Sequence, residues 1–332
     1  MRHFFILFAI AGLLINPSAA EACTGITLKS KDGTTIVART IEWGGSNLNS
    51  QYVVVPRGYT ERSYTPNGVD GMTFTARYGY VGLAVEQKEF IAEGRDKSIS
   101  DLQLVSWLLG ECSNVEEVKE AVKKVHVINI DPRASTVHWR FAEPSGRQLV
   151  LEIIKGELHF YENTLGVLTN SPSFEWHLTN LNNYVNLFPG TAPNQQLGNI
   201  ELSSFGAGSG FLGIPGDVTP PSRFVRAAFY QASAPQQETA LETVFQCFQI
   251  LNNFDIPVGI EFPLGQVPCD IPSATQWTSV TDMRNHVIYY RTMYNSVIRN
   301  IDLRSIDFST VRYRAVSMDG TKRQAVETIK IE

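Results

Sequence analysis

Cys23 is the residue around which chemistry could be organised. It follows residues 4–15, a run of twelve apolar residues, then Asn16-Pro17-Ser18 and the small-residue site Ala20-Glu21-Ala22. A bilayer needs about 20 apolar residues, so the run is too short to span one. With Arg2 and His3 ahead of it, residues 1–22 have the pattern of a secretory signal peptide. Removing them leaves Cys23 first, with a thiol and a free α-amine on one residue. The thiolate is the nucleophilic form, and a free thiol titrates near about 8.5. An α-amine titrates near about 8, so it can take the thiol proton and later return it to a leaving amine. Base and nucleophile then share a residue, and no catalytic histidine is required. Such a site needs a cation beside the thiol, a carboxylate for the ammonium and donors for an oxyanion. The alternative at the same position is acylation of Cys23, which would make a lipid-anchored binding protein. Lipoprotein signals carry Leu three residues before the cysteine, and Ala20-Glu21-Ala22 fits that pattern poorly.

Other chemistries lack their residues. Gly208-Ser209-Gly210-Phe211-Leu212-Gly213 matches the dinucleotide spacing, but Ile214-Pro215-Gly216-Asp217 follows where a helix would have to open. The six histidines (His3, His126, His138, His159, His177 and His286) are scattered and read as packing or surface residues, so no metal is expected. Cys112, Cys247 and Cys269 lie in or beside apolar stretches and read as small buried hydrophobes. Four cysteines in 332 residues do not make a disulfide scaffold. The balance of 28 basic and 33 acidic residues, with no basic run longer than Lys123-Lys124, argues against nucleic-acid binding. A 43% hydrophobic, 18% charged composition excludes disorder and coiled coil.

The elements that would position Cys23 follow from periodicity. Residues 24–28 and 34–38 are β-rich around Lys31-Asp32-Gly33, a hairpin signal. Residues 52–56 and 72–80 read as strands and 101–109 as a helix. A second helix runs to about Val125, capped by Ser113 with Glu116 or Asn114 with Glu117. Residues 136–141, 148–154 and 157–161 form a meander. Residues 174–187, 222–232 and 238–252 read as helices, 206–221 as a Gly/Pro-rich loop, and 275–280 with 286–291 as a late hairpin. Strands and helices come in blocks rather than in alternation. That predicts an α+β fold with antiparallel sheets covered by helices, in one domain spanning 23–332.

Three separated motifs carry a resemblance. Cys23-Thr24-Gly25 with Arg39-Thr40-Ile41-Glu42-Trp43, the run Gly166-Val167-Leu168-Thr169-Asn170-Ser171-Pro172-Ser173-Phe174-Glu175-Trp176-His177, and Gly213-Ile214-Pro215-Gly216-Asp217-Val218-Thr219-Pro220-Pro221-Ser222-Arg223-Phe224 occur in that order. Together they resemble the choloylglycine hydrolase family, N-terminal-nucleophile hydrolases that include bile salt hydrolases and penicillin V acylases. The resemblance implies an αββα sandwich of two antiparallel sheets packed face to face and covered by helices. It assigns Cys23 as nucleophile and base, Arg39 beside the thiol, and Glu42 on the α-amine at a position usually Asp. Asn170 becomes an oxyanion donor and Arg223 completes the polar network.

The implied reaction is hydrolysis of a conjugated bile salt, releasing glycine or taurine through a thioester. Penicillin V acylase or another linear-amide hydrolase is the alternative, and an inactive homologue or a secreted binding protein is the alternative of another class. The resemblance implies no cofactor, no nucleic acid, no stable membrane span, a homo-oligomer (a tetramer) and a secreted or periplasmic location. One departure stands out. After Gly94 the chain jumps to Arg95-Asp96-Lys97, where the family continues with an Asn-Glu-x-Gly-Leu stretch and an Ala-Gly-Leu stretch. The missing couple of dozen residues would supply a core strand of one sheet, a second oxyanion donor and part of the substrate wall.

Overall fold

The computed structural model describes residues 21–65, 71–84, 97–128 and 138–331. Residues 1–20 of the expected signal peptide and the expected gap after Gly94 lie outside the described residues.

In chain order, β1 (Glu21–Ala22), β2 (Gly25–Lys29) and β3 (Thr35–Trp43) open the fold. They are followed by β4 (Gln51–Val55), β5 (Thr60–Arg62), β6 (Thr73–Thr75), β7 (Tyr80–Ala84) and β8 (Ser98–Ser100). Helices α1 (Leu104–Glu111) and α2 (Val115–Val122) lead through β9 (His126–Ile128) to β10 (Trp139–Ala142), β11 (Gln148–Ile154) and β12 (Glu157–Glu162). Then come α3 (Phe174–Asn180), the hairpin β13 (Gln195–Leu197) and β14 (Ile200–Leu202), α4 (Pro220–Ser233) and α5 (Ala240–Leu251). The chain closes with β15 (Thr275–Asp282), β16 (Val287–Thr292), β17 (Asn295–Asp302) and β18 (Arg314–Ser317).

The main sheet runs β3–β15–β16–β17, all antiparallel, with β1 and β2 paired end to end along the free side of β3. Alternation sorts its two faces. Ile26, Leu28, Ile36, Ala38 and Val280 face α4 and α5, where they share a core with Phe224, Ala227, Val244, Cys247, Phe248 and Leu251. The opposite face meets the second sheet, β10–β11–β12. There the Thr27 hydroxyl donates to Gln148 Oε1 at 3.1 Å, and Arg140 donates to Gly166 O at 3.0 Å, Ala38 O at 3.2 Å and Ile26 O at 3.3 Å. The far face of the second sheet buries Trp139, Leu149 and Leu151 under Leu104, Trp107, Leu108, Val115, Val118 and Val122 of α1 and α2. Each such aliphatic or aromatic side chain contributes about 1.5–3 kcal/mol on burial, which is what holds the helices down. The layers are α–β–β–α, the α+β sandwich expected.

Local chemistry explains the boundaries. The Asp32 carboxylate accepts from Ser30 Oγ at 2.6 Å and Thr34 N at 2.9 Å, and Gly33 turns at φ 85°, which closes the β2–β3 hairpin. At α2 the Asn114 side chain accepts from Glu117 N at 2.9 Å while Glu117 accepts from Ser113 N at 2.9 Å, so the second capping pair is the one formed. At α5 Thr239 and Glu242 make a reciprocal capping box.

Several elements differ from expectation. Residues 72–80 are two strands: the β5–β6 ladder ends with Ala76 N donating to Tyr59 O, and Tyr78 N then donates to Gly110 O, outside either ladder. The helix expected over 174–187 stops at Asn180 and tightens into a single 3-10 turn, Leu181–Tyr184. There the Asn182 amide caps Thr179 O at 2.9 Å. Helix α4 begins at Pro220 rather than Ser222; proline at the first helical position loses no hydrogen bond. The late hairpin gains a third strand, β17, and the strands β13, β14 and β18 are only three or four residues long, too short for a pattern by which they could be read.

Candidate active site

Cys23 lies on the edge strand between β1 and β2. On its outer side Gly25 N donates to Leu168 O at 2.8 Å and Leu168 N donates to Gly25 O at 3.1 Å. That antiparallel bridge carries the chain on so that Asn170 comes level with Cys23, and Cys23 N donates to Asn170 Oδ1 at 2.7 Å. A Cβ at Gly25 would stand 3.0 Å from the Arg140 guanidinium, which would have to give by a few tenths of an ångström to admit a side chain.

On the inner side β3 supplies two charges on opposite faces. Arg39 stands opposite Gly25 in register, and its Nη2 lies 3.1 Å from Cys23 Sγ, with the guanidinium over the Trp277 ring at 5.5 Å. A cation at that distance favours thiolate over thiol. Glu42 is buried, and neither carboxylate oxygen has a partner in hydrogen-bond geometry. Burial pushes its carboxyl up to about 8, against the opposing pull of Arg223, the Thr40 hydroxyl and Arg39. The Thr40 hydroxyl also meets Thr24: it accepts from Thr24 N at 3.1 Å and lies 3.4 Å from Thr24 O.

Arg223, on the first turn of α4, is fully buried and ties these pieces together. Its Nη1 donates to Cys23 O at 2.7 Å and Thr24 Oγ1 at 2.8 Å, Nη2 to Asn170 Oδ1 at 3.1 Å and Nε to Val218 O at 2.9 Å. Burial pulls its guanidinium below the ordinary value, while Glu42 and Cys23 favour the charge. Because Asn170 Oδ1 accepts from two donors, its Nδ2 is turned away from both and keeps its hydrogens for another acceptor. The third motif explains itself as the frame for Arg223. Although burial opposes it, hydrogen bonds from Ser222 and Thr219 hold the Asp217 carboxyl down at about 2. Arg226 Nη1 donates to Pro215 O and Asp217 O at 2.7 Å each.

The structure thus brings together all five residues singled out by sequence. It pairs the Cys23 nitrogen with Asn170 rather than with Glu42. It also places residues that sequence reasoning passed over. Thr24 and Thr40 lock the edge strand to β3, and His177 stands behind Asn170. The signal for His177 was its place inside the central motif. Of the other cysteines, Cys247 is buried as expected, Cys112 is only half-buried, and Cys269 is exposed, because residues 261–270 form a loop with little cover. Among the described residues no helix is long and apolar enough to cross a membrane, and no cluster of His, Cys, Asp or Glu could hold a metal ion.

The raised Glu42 carboxyl sets a pH dependence. From the ordinary 4.5 up to about 8 the folded chain keeps a proton that the unfolded chain has lost. Stability of the untrimmed chain therefore falls as pH rises through that window. Glu42→Gln is expected to flatten the decline between pH 5 and 8 in urea titrations; an unchanged slope would place the titration elsewhere.

Comparison with known proteins gives the family and the fold. Residues 87–313 match the linear amide C–N hydrolases, choloylglycine hydrolase family. A bile salt hydrolase/transferase of Clostridium perfringens is 30% identical over 312 residues, covering 85% of this chain and 92% of its own. A bile salt hydrolase/transferase of Lactiplantibacillus plantarum is 34% identical over 269 residues, covering 77% and 79%. The crystal structure of a variant of the conjugated bile acid hydrolase from Clostridium perfringens superposes with a TM-score of 0.76 at 27% identity, over 93% of this chain and 100% of that one. A penicillin V acylase from Agrobacterium tumefaciens, at 21% identity and a TM-score of 0.67, shares the fold over 91% of this chain and 93% of its own. With its sandwich, its motifs in order and these relatives, the chain belongs to the choloylglycine hydrolase family of linear amide C–N hydrolases.

Proposed function

We propose that the chain hydrolyses the amide bond of conjugated bile salts, using Cys23 exposed as the N-terminal residue by removal of residues 1–22. The substrate class rests on the bile salt hydrolase relatives. The mechanism rests on one observation above others: a buried Glu42 carboxyl with neither oxygen partnered in hydrogen-bond geometry, on the strand that flanks Cys23, where Ala22 is its register partner. A buried carboxylate without a donor is costly. Removal of Ala22 leaves the α-amine of Cys23 at that end of the strand, and once it has taken the thiol proton it is a cationic donor for that carboxyl.

In the reaction, the neutral α-amine takes the thiol proton and Arg39 steadies the thiolate. Sulfur attacks the amide carbon, and the oxygen of that carbonyl gathers charge toward Asn170 Nδ2. The tetrahedral species collapses, the C–N bond breaks, and the ammonium returns its proton to the leaving amine. Water, giving its proton to the amine, then cleaves the thioester and frees the acid and the thiol. Arg223 touches no reacting atom; it fixes Cys23 and Asn170 relative to each other.

Residues 1–22 act on this reading as an export signal, which makes the mature protein secreted or periplasmic. A homo-oligomer is supported by the apolar hairpin β13–β14 and its flank, where Leu197, Ile200, Leu202 and Phe205 are exposed. Sedimentation is expected to give a multiple of the monomer mass; a monomer at micromolar concentration would remove this part of the proposal. The second reading, penicillin V acylase, has support from a Pectobacterium atrosepticum enzyme 26% identical over 243 residues. Side-by-side assays decide between them. Release of glycine or taurine from conjugated bile salts should exceed hydrolysis of penicillin V; the reverse order would overturn the substrate assignment.

A further inference from the structure

Behind Asn170 stands a histidine that meets the Asn170 backbone but none of the atoms assigned a chemical step. His177, on α3, is fully buried. Its Nε2 lies 2.7 Å from Asn170 O. A carbonyl only accepts, so the ring hydrogen resides on Nε2, and Nδ1 is left buried without a partner. Burial also lowers its basicity, which keeps the ring neutral. The ring is stacked on Phe224, 4.6 Å between centroids and 8° between planes, and Phe224 is the residue after Arg223. Thr169, next to Asn170, donates its hydroxyl to Pro220 O at 3.1 Å, at the start of the same helix α4. Helix α3 is itself pinned from below. Glu152 accepts from Phe174 N at 2.6 Å, and His138 Nδ1 approaches the same Glu152 oxygen at 2.8 Å.

These contacts form a single wedge. One ring fixes the Asn170 peptide by hydrogen bond and the Arg223 helix by stacking, the two partners of Asn170's side-chain geometry. An orphaned Nδ1 in the interior is a cost an apolar side chain would avoid, so the ring's presence points to the bond that Nε2 makes. We propose that His177 is a positioning residue for the oxyanion donor: it acts through Asn170, setting where Nδ2 points. This deepens the functional reading above and rests on it.

The test compares two variants and two reactions. His177→Phe keeps a flat ring against Phe224 but has no donor; His177→Gln restores an N–H at similar reach. Amide hydrolysis passes through an oxyanion. Alkylation of the Cys23 thiol by iodoacetamide, followed on the Cys23 peptide, does not. Displacing a reacting group by about 1 Å can cost on the order of 100-fold. His177→Phe is therefore expected to lower kcat and kcat/KM together by about 10- to 100-fold, with Cys23 alkylation unchanged, and His177→Gln to recover most of the loss. Hydrolysis by His177→Phe at the wild-type rate overturns the proposal. So does a parallel fall of alkylation and hydrolysis without rescue by glutamine, which is what a packing role alone would give. If Cys23→Ala hydrolyses as well as wild type, the reading of the site fails first, and this proposal falls with it.

Discussion

Cys23→Ala is expected to abolish amide hydrolysis, lowering kcat/KM by about 10⁴-fold or more, while the thermal unfolding midpoint stays close to wild type. The size follows from the absence of a substitute nucleophile among the groups the structure brings to this point. Arg39, Asn170 and Arg223 supply charge and hydrogen bonds, and His177 is committed to a backbone carbonyl. The fold is spared because the sulfur lies at the strand edge facing Arg39, whereas the Cys23 backbone makes the structural bonds, N to Asn170 and O from Arg223. Cys23→Ser should also fail, since a cation beside the nucleophile favours a thiolate, whereas a serine hydroxyl does not ionise in this range. Residual hydrolysis by Cys23→Ala within tenfold of wild type would mean that another group attacks the amide.

Arg223→Met is expected to produce the largest loss of stability in the site, about 3–5 kcal/mol, read as a fall in Tm on the order of 10 °C. Methionine matches much of the volume, so the loss is electrostatic and polar rather than a cavity. The guanidinium bridges four acceptors on the edge strand, the Asn170 segment and the loop before α4. It is also the main cation opposing burial of Glu42. Without it, ionised Glu42 is an uncompensated interior charge, so the deficit grows as pH rises. Glu42→Gln in the same chain should recover part of the loss, because the two residues are coupled. Equal deficits in the single and double variants, at pH 5 and pH 8 alike, would show that Arg223 and Glu42 do not share an energy.

Much of this was legible in the residues, for identifiable reasons. The β2–β3 hairpin declared itself through Asp32-Gly33, the meander through β-rich runs parted by the turns at Gly146 and Gly156, and α4 and α5 through apolar stripes. What stayed hidden depended on partners far away in sequence. No local pattern says that Ala76 and Tyr78 bond to Tyr59 and Gly110, or that β18 will pair with β4 across most of the chain. The site follows the same rule. Cys23 stood out because its chemistry is local, a thiol and an amine on one residue. Arg39, Glu42, Asn170 and Arg223 were found only through the resemblance, since a single Arg or Asn carries no sign of its partner 147 or 200 residues away. His177 was read as a packing residue, and its stacking on Phe224 bears that out. Its bond to Asn170 required the third dimension.

In the proposed mechanism trimming makes the active centre, and one paired measurement tests it. Protein beginning at Cys23 and protein retaining Ala22, each verified by intact mass, are assayed on the same conjugated bile salt. The amine-as-base mechanism predicts turnover from the first and a loss of about 10³-fold or more in the second, whose nitrogen is an amide and cannot accept the proton. Equal turnover by the two forms, or an active preparation whose mass shows an acylated Cys23, would contradict it.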